Sequence, residues 1–124
     1  MIENGSGLSR RERASATGLN NLLIAADRSA VREEFERSLA VAAFDGTVEH
    51  RFLDAPVAGQ ALLKTGSLEG VRSIAGYVID ASGRRFTVVA IVNDASAARA
   101  RPALDYLVQW VYENGATWDP ARQR

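Results

Sequence analysis

The sequence predicts an α+β fold in which helices flank a small antiparallel sheet, a three-stranded meander followed by a C-terminal helix. Apolar residues recur at helical spacing near both ends of the chain, and three consecutive runs of strand-forming residues lie between them. The second and third runs are joined by the short, glycine-containing stretch DASGR, which is typical of a hairpin. Neighbouring strands are therefore expected to be antiparallel.

Two helices are predicted in the N-terminal third. Ser15 or Thr17 can cap the first helix, because a hydroxyl can accept a hydrogen bond from a free backbone N–H of the first turn. The stripe expected to face the core repeats at i, i+3, i+4 and i+7 and consists of Leu19, Leu22, Leu23 and Ala26. A second, shorter helix is predicted after Ser29, with one side formed by Val31, Phe35 and Leu39.

The stretch from 43 to 60 is irregular, with turn signals at Asp45-Gly46, Pro56 and Gly59, and is predicted to be a structured loop or a pair of small strands. The strand-like runs that follow are ALLKTGSL, VRSIAGYVID and RFTVVAIVN. The third run is apolar at both alternating sets of positions, which predicts a central strand covered on both faces. Gly76 in the middle of the second run predicts a close packing contact or a bulge.

The last helix has Pro102 in its first turn and Gly115 at its expected end. Its predicted buried stripe is Leu104, Leu107, Val108 and Val111. Residues 1–13 and 116–124 are predicted to be flexible ends. A three-stranded sheet is small, so the chain is expected to be part of a larger one.

Composition excludes several classes of function. Fifteen basic residues balance fifteen acidic residues, which argues against a nucleic-acid partner. The chain has no cysteine, so a disulfide scaffold, a thiolate nucleophile and the usual zinc sites are excluded. No apolar run approaches the roughly 18 residues that a transmembrane helix needs, and the first residues do not resemble a signal peptide.

Lys64 is the only lysine among the fifteen basic residues, and it opens the tripeptide Lys64-Thr65-Gly66 within a predicted strand. Lys-Thr-Gly is the third element of the signature of serine penicillin-binding proteins and β-lactamases. In that chemistry a lysine ammonium attracts a substrate carboxylate and biases proton movement between hydroxyls, and the threonine hydroxyl binds the carboxylate. Gly66 lets a substrate lie close to the strand, and the Ser67 backbone N–H can contribute to an oxyanion hole.

The surrounding sequence strengthens this assignment. From about Asn4 to Gly115 the chain resembles the D-alanyl-D-alanine carboxypeptidase/endopeptidase family of low-molecular-mass class C penicillin-binding proteins. The resemblance is carried by the blocks NGSGLSRRERASATGLNNLL, DGTVEHRF and APVAGQALLKTGSLEGVRSIAGYVIDASGRRFTVVAIVN and by the closing helix. It implies that Lys64, Thr65 and Gly66 are the family's third motif, on a strand that lines the active site of a transpeptidase-like domain.

The chain departs from the family in lacking the other two motifs. Ala61 stands three residues before the only lysine, so no S-x-x-K is present, and no serine is followed two positions later by asparagine. In the family both motifs precede the GSGLS block. The sequence is therefore expected to be the C-terminal part of such an enzyme, inactive alone and completed by the N-terminal part of the same domain.

For the complete protein the resemblance implies a periplasmic serine-type D-Ala-D-Ala carboxypeptidase/endopeptidase that acts on peptidoglycan stem peptides through an acyl-enzyme. It would remove the terminal D-Ala and cleave D-Ala-containing cross-links. β-Lactams would bind the same site, and no metal or organic cofactor is implied. One alternative is a stand-alone, non-catalytic α/β module that binds a peptide or partner; another is a β-lactamase or esterase relative. The chain contains the residue types for a Ser-His-Asp triad on His50, but G-x-S-x-G is absent, and a surface histidine is the simpler interpretation.

Overall fold

The computed structural model describes residues 4–119 and 121. In chain order its main elements are α1 (Ala16–Asp27), α2 (Arg32–Arg37), β1 (Ala40–Val41), β2 (Ala61–Leu68), β3 (Val71–Ile79), β4 (Arg85–Asn93) and α3 (Arg101–Asn114). Three short 3-10 helices span Gly46–Val48, Ala97–Ala100 and Gly115–Thr117. The α+β class is confirmed. The predicted flexible ends include residues 1–3, 120 and 122–124, which lie outside the described residues.

All four strands form one antiparallel sheet in the order β1-β2-β3-β4. The predicted three-stranded meander is thus extended by β1, which pairs only two residues, Ala40 with Leu63 and Val41 with Leu62. A two-residue strand is too short to display the alternation that identifies strands in sequence. Because β1 is so short, it covers the outer edge of β2 only as far as Leu63.

The core lies on both faces of the sheet. On the α3 face, buried strand residues pack against Leu104 and Val108 of α3, and this cluster includes Ala61, Leu63, Ile74, Val78 and Val88. On the α1 face a smaller cluster contains Leu23, Leu39 and Tyr77. The predicted stripe of α3 is confirmed, since its two buried residues are flanked by the partly buried Leu107 and Val111.

Helix α1 begins as predicted but is rotated relative to the predicted stripe. Ser15 caps it, accepting a hydrogen bond from Gly18 N at 3.0 Å. Leu22, predicted to be buried, is 55% exposed. The reason is polar contact with β4: Asn20 accepts a hydrogen bond from Thr87 at 2.6 Å, and Asp27 pairs with Arg85 at 2.9 Å. These pairs turn the Asn20–Asp27 side of the helix toward the sheet.

Two glycines are required for close packing rather than for turns. A Cβ on Gly76 would lie 1.9 Å from the carbonyl oxygen of Leu62, and the β2–β3 register runs through this position without interruption. The predicted close contact is confirmed and there is no bulge. Gly115 ends α3 as predicted, but with φ of −54° it has ordinary helical geometry. A Cβ there would lie 2.7 Å from Phe86 and 2.8 Å from Asp80, so close approach explains this glycine.

Strand β4 is covered on both faces, as its sequence predicts: Val89 packs on the α1 face, and Val88, Ala90 and Val92 pack on the α3 face. It is not central among the described strands, however, because its outer edge has no strand partner in residues 4–119 and 121. None of the helices described is long and apolar enough to cross a membrane.

Candidate functional site

The Lys-Thr-Gly motif lies on β2 just beyond the point where β1 stops. Lys64, Thr65, Gly66 and Ser67 all belong to β2, whereas the pairing with β1 ends at Leu63. Within the part of the chain that the structure describes, no strand covers the outer edge of β2 from Lys64 onward. The motif therefore occupies an open sheet edge, to which an extended peptide can bind by main-chain hydrogen bonds.

The direction of the backbone groups follows from the hydrogen bonds at the start of the strand. Ala42 N donates to the carbonyl oxygen of Ala61 at 2.9 Å, so the polar backbone groups of Ala61 face β1. In an antiparallel sheet these groups alternate sides with each residue. Those of Thr65 and Ser67 consequently face the open edge, while those of Lys64 and Gly66 face β3. The N–H of Ser67, the predicted contributor to an oxyanion hole, is therefore directed to the open edge.

Lys64 extends from the opposite face of the sheet to this edge. Its side chain lies on the same side of β2 as Leu62, which packs on the α1 face. The Nζ donates a hydrogen bond to the carbonyl oxygen of Thr65 at 2.7 Å, and the side chain is exposed. The only lysine thus places a solvated ammonium beside the open edge of its own strand.

Thr65 has a partner that the sequence interpretation did not assign. Its Oγ1 is 2.7 Å from Oγ1 of Thr47, which is carried by the 3-10 helix Gly46–Val48. Asp45-Gly46-Thr47 was predicted only as a turn. The available signal was that the turn block DGTVEHRF belongs to the same resemblance as the motif, but no spacing rule connects two threonines 18 positions apart.

Gly66 is opposite Ser73 on β3, and a Cβ on it would lie 2.3 Å from the Ser73 hydroxyl oxygen. Its backbone φ lies outside the left-handed region, so the absence of a side chain is explained here by proximity to Ser73 rather than by conformation. Clearance for a substrate at this position remains a prediction.

These residues border a cleft of about 510 Å³, which also touches the start of α3. Its lining consists of Thr47, Arg51, Lys64, Thr65, Gly66, Ser67, Arg72, Ser73, Ala98, Arg101 and Leu104. Four of these side chains are cationic and none of these lining residues is acidic. Such a cleft favours an anionic ligand.

The four cations of the cleft differ in their partners. Arg51 is buried and forms an ion pair with Asp105 of α3, with Nε 3.0 Å from Oδ1. Arg72 also lines the cleft, with Nη1 donating to the carbonyl oxygens of Leu68 and Val71 at 2.7 Å. Arg51 and Arg101 were missed, because their approach to the motif depends on the packing of distant segments.

Other candidates lie away from this site. The His50 side chain is 84% exposed and 4.0 Å from Glu49, in agreement with a surface histidine. Glu69, the first acidic residue after the motif, pairs with Arg10 at 3.8 Å and does not line the cleft. Asp45 accepts a hydrogen bond from Val41 N, as a turn residue does. Among the described residues no group of three or more His, Cys, Asp or Glu side chains could hold a metal ion.

Comparison with known sequences identifies similar proteins over nearly the whole chain. A sequence model of the D-Ala-D-Ala carboxypeptidase 3 (S13) family matches residues 1–114. Carboxypeptidase Rv3627c of Mycobacterium tuberculosis is 36% identical over 123 residues, covering 94% of this chain and 26% of that protein. Carboxypeptidase DacB of Mycolicibacterium smegmatis is 37% identical over 113 residues, covering 86% and 24%. The chain thus spans about a quarter of the length of these relatives.

Comparison with solved structures supports the fold. Penicillin-binding protein 4 (dacB) of Haemophilus influenzae superposes with a TM-score of 0.79 and 24% identity, over 91% of this chain and 27% of that one. The Bd3459 predatory endopeptidase of Bdellovibrio bacteriovorus gives a TM-score of 0.63 and 23% identity, over 87% and 31%. At these identities the likeness shows a shared penicillin-binding-protein fold.

Proposed function

The chain belongs to the D-Ala-D-Ala carboxypeptidase 3 (S13) family, and on that premise we propose that the complete protein is a serine-type D-Ala-D-Ala carboxypeptidase. Its substrates would be peptidoglycan stem peptides, and its place of action the periplasm. The observation that carries the proposal is the position of Lys64-Thr65-Gly66 on the open edge of β2, beside a cleft with four cationic side chains.

The arrangement fits a peptide that ends in a carboxylate. The Lys64 ammonium lies at the edge and attracts a carboxylate, and no acidic group in the cleft lining described opposes this attraction. Thr65 can donate its hydroxyl hydrogen to the same carboxylate. These two groups would fix the C-terminal end of the substrate relative to the strand.

The same edge offers a donor for the reacting carbonyl. The Ser67 N–H faces the cleft side of β2 and has no backbone partner among the described residues. A backbone N–H aimed at a developing oxyanion is worth roughly 10²–10³ in rate. We assign Lys64 and the Ser67 N–H to catalysis and Lys64, Thr65, Gly66 and Ser67 to substrate binding.

The nucleophile must come from outside these 124 residues. The chain has no S-x-x-K and no S-x-N, which supply the serine, its lysine base and the second serine in this class of enzyme. The reaction would transfer the peptide acyl group to that serine with release of D-Ala, and water would then hydrolyse the acyl-enzyme. A β-lactam would be trapped at the first step. The 124-residue chain alone would not react.

The rest of the polypeptide would complete the sheet at β4. The β3–β4 register leaves the backbone groups of five β4 residues facing outward, namely Arg85, Thr87, Val89, Ile91 and Asn93. Beside this edge Trp110 and Trp118 form a T-shaped pair in a partly exposed cleft of about 420 Å³. An unpaired edge with exposed aromatic surface beside it fits an intramolecular partner.

The test is labelling with a fluorescent penicillin. The complete protein, its Lys64→Ala variant, the 124-residue chain and a control variant, Arg37→Ala, are compared. Arg37 is an exposed cation that does not line the cleft. We expect labelling of the complete protein and of the control, at least tenfold slower labelling of Lys64→Ala, and none of the isolated chain.

Each other outcome contradicts a defined part of the proposal. An unlabelled complete protein would refute the enzymatic assignment. Equal labelling of Lys64→Ala would refute the role of the motif. Labelling of the isolated chain would show that a nucleophile lies within these residues.

A further inference from the structure

Thr47 is separated from the motif by 18 positions, yet its hydroxyl oxygen lies 2.7 Å from that of Thr65 and it lines the same cleft. We propose that Thr47 is a positioning residue that directs the Thr65 hydroxyl hydrogen toward the substrate carboxylate. This inference rests on the proposed function and adds to it a residue outside the Lys-Thr-Gly motif.

The direction of the hydrogen bond follows from the chemistry of the partners. A hydroxyl has one hydrogen to donate and two lone pairs to accept with, whereas a carboxylate only accepts. If Thr65 donated to Thr47, it would have no hydrogen left for the carboxylate. Either hydroxyl can donate in the free protein, but with the carboxylate bound to Thr65 the donor must be Thr47. A hydroxyl that accepts one hydrogen bond also becomes a better donor in the next.

The 3-10 helix that carries Thr47 is anchored on both sides. Val48, the next residue, is fully buried, and Asp45 accepts a hydrogen bond from Val41 N of β1. Gly46 has a φ of +55°, and a Cβ on it would lie 2.8 Å from the Cβ of Ala40. Further along, Arg51 is paired with Asp105 of α3. These contacts fix Thr47 against the strand edge.

The hydrogen bond between Thr47 and Thr65 is expected to contribute little to the stability of the fold. Thr47 is exposed and Thr65 only half-buried, so water can replace the hydrogen bond in either partner's absence. Replacing this hydrogen bond with one to water leaves the free energy of unfolding almost unchanged. Removal of Thr47 instead changes the direction in which the Thr65 hydroxyl hydrogen points, and this direction matters for binding the substrate carboxylate.

The experiment compares benzylpenicillin with its methyl ester, in which the carboxylate charge is replaced by a neutral ester group, by their second-order rates of acylation of the complete protein. Thr47→Val keeps the shape and removes the donor, and Thr47→Ser keeps the donor. We expect Thr47→Val to slow acylation by the free acid about tenfold, the worth of one hydrogen bond to a charged group, and acylation by the ester less than twofold. The acylation rates of Thr47→Ser should stay within about twofold of those of the unaltered protein with both ligands. The melting temperatures of the two variants and of the unaltered protein should agree.

The outcomes separate the two proposals. If the unaltered protein reacts with neither ligand, the proposed function fails and the role of Thr47 falls with it. Three results with a reactive unaltered protein would overturn the positioning role alone. Thr47→Val could slow acylation by both ligands equally, or acylation by neither, or Thr47→Ser could slow acylation by the free acid as much as Thr47→Val does.

Discussion

The ion pair between Arg51 and Asp105 should couple the loop that carries Thr47 to α3, and its strength can be measured. The Arg51 side chain is 8% exposed, and that of Asp105 is 29% exposed. Two residues 54 positions apart are joined, so the pair fixes a long irregular segment against a helix. We consider Asp105→Ala, Arg51→Met and the double variant.

The different exposures of the partners predict unequal effects. Asp105→Ala leaves a guanidinium buried without its counter-ion; a fully buried pair loses about 3–5 kcal/mol in this way, and partial exposure reduces the loss to about 2–4 kcal/mol. Arg51→Met leaves a carboxylate that water can reach and keeps much of the apolar stem, so about 1 kcal/mol is expected. The double variant has no unpaired buried charge. It should therefore be more stable than Asp105→Ala alone.

The assay is urea unfolding of the 124-residue chain followed by tryptophan fluorescence, with unchanged m-values as a check on the comparison. The exposed pair Arg37–Glu33, at 3.1 Å with side chains 75% and 77% exposed, provides a matched control cycle. Its coupling should be about 0.3–0.5 kcal/mol. Strictly additive effects of Asp105→Ala and Arg51→Met, or a coupling no larger than the control's, would refute the argument from burial.

Two further predictions concern the sheet and the β3–β4 hairpin. Gly76→Ala should destabilise the protein by about 3 kcal/mol, the upper range for overpacking, because its φ is +156° and its Cβ would in addition meet the Leu62 backbone at 1.9 Å. Gly83→Ala is the control, since Gly83 also has a positive φ, +84°, but its Cβ would meet nothing within 4 Å; it should cost about 1 kcal/mol in the same urea assay, and equal losses would contradict the steric account. Burial raises the pKa of the Asp80 carboxyl, but the hydrogen bonds that it accepts within the hairpin outweigh burial and hold its pKa below the ordinary value. The unfolded chain therefore binds this proton more readily, so the stabilisation by Asp80 is complete above about pH 4 and lost as the pH falls through the lower folded pKa. The difference in urea midpoint between the unaltered chain and Asp80→Asn should shrink in that range, and a difference that stayed constant down to pH 2.5 would exclude this linkage.

The local elements were predictable because local rules produce them. Strands β2 and β4 match the apolar runs at 61–68 and 85–93, and the last helix has its proline at the start and its glycine at the end. Turn chemistry and side-chain periodicity act over a few residues, so one sequence is enough to apply them. The motif at Lys64 was found for the same reason, as three adjacent residues with a defined chemistry.

Only the tertiary structure decided which distant groups meet. The contact of Thr47 with Thr65, the pair of Arg51 with Asp105 and the rotation of α1 toward Thr87 and Arg85 join segments that no periodicity relates. Strand β1 was missed because two residues cannot show a pattern, and its end at Leu63 is what leaves the motif on an open edge. The sequence by itself determined the three long strands, the first and last helices and the presence of the Lys-Thr-Gly tripeptide. Sheet register and helix packing decided the surroundings of that tripeptide, because those contacts depend on how the whole chain folds together.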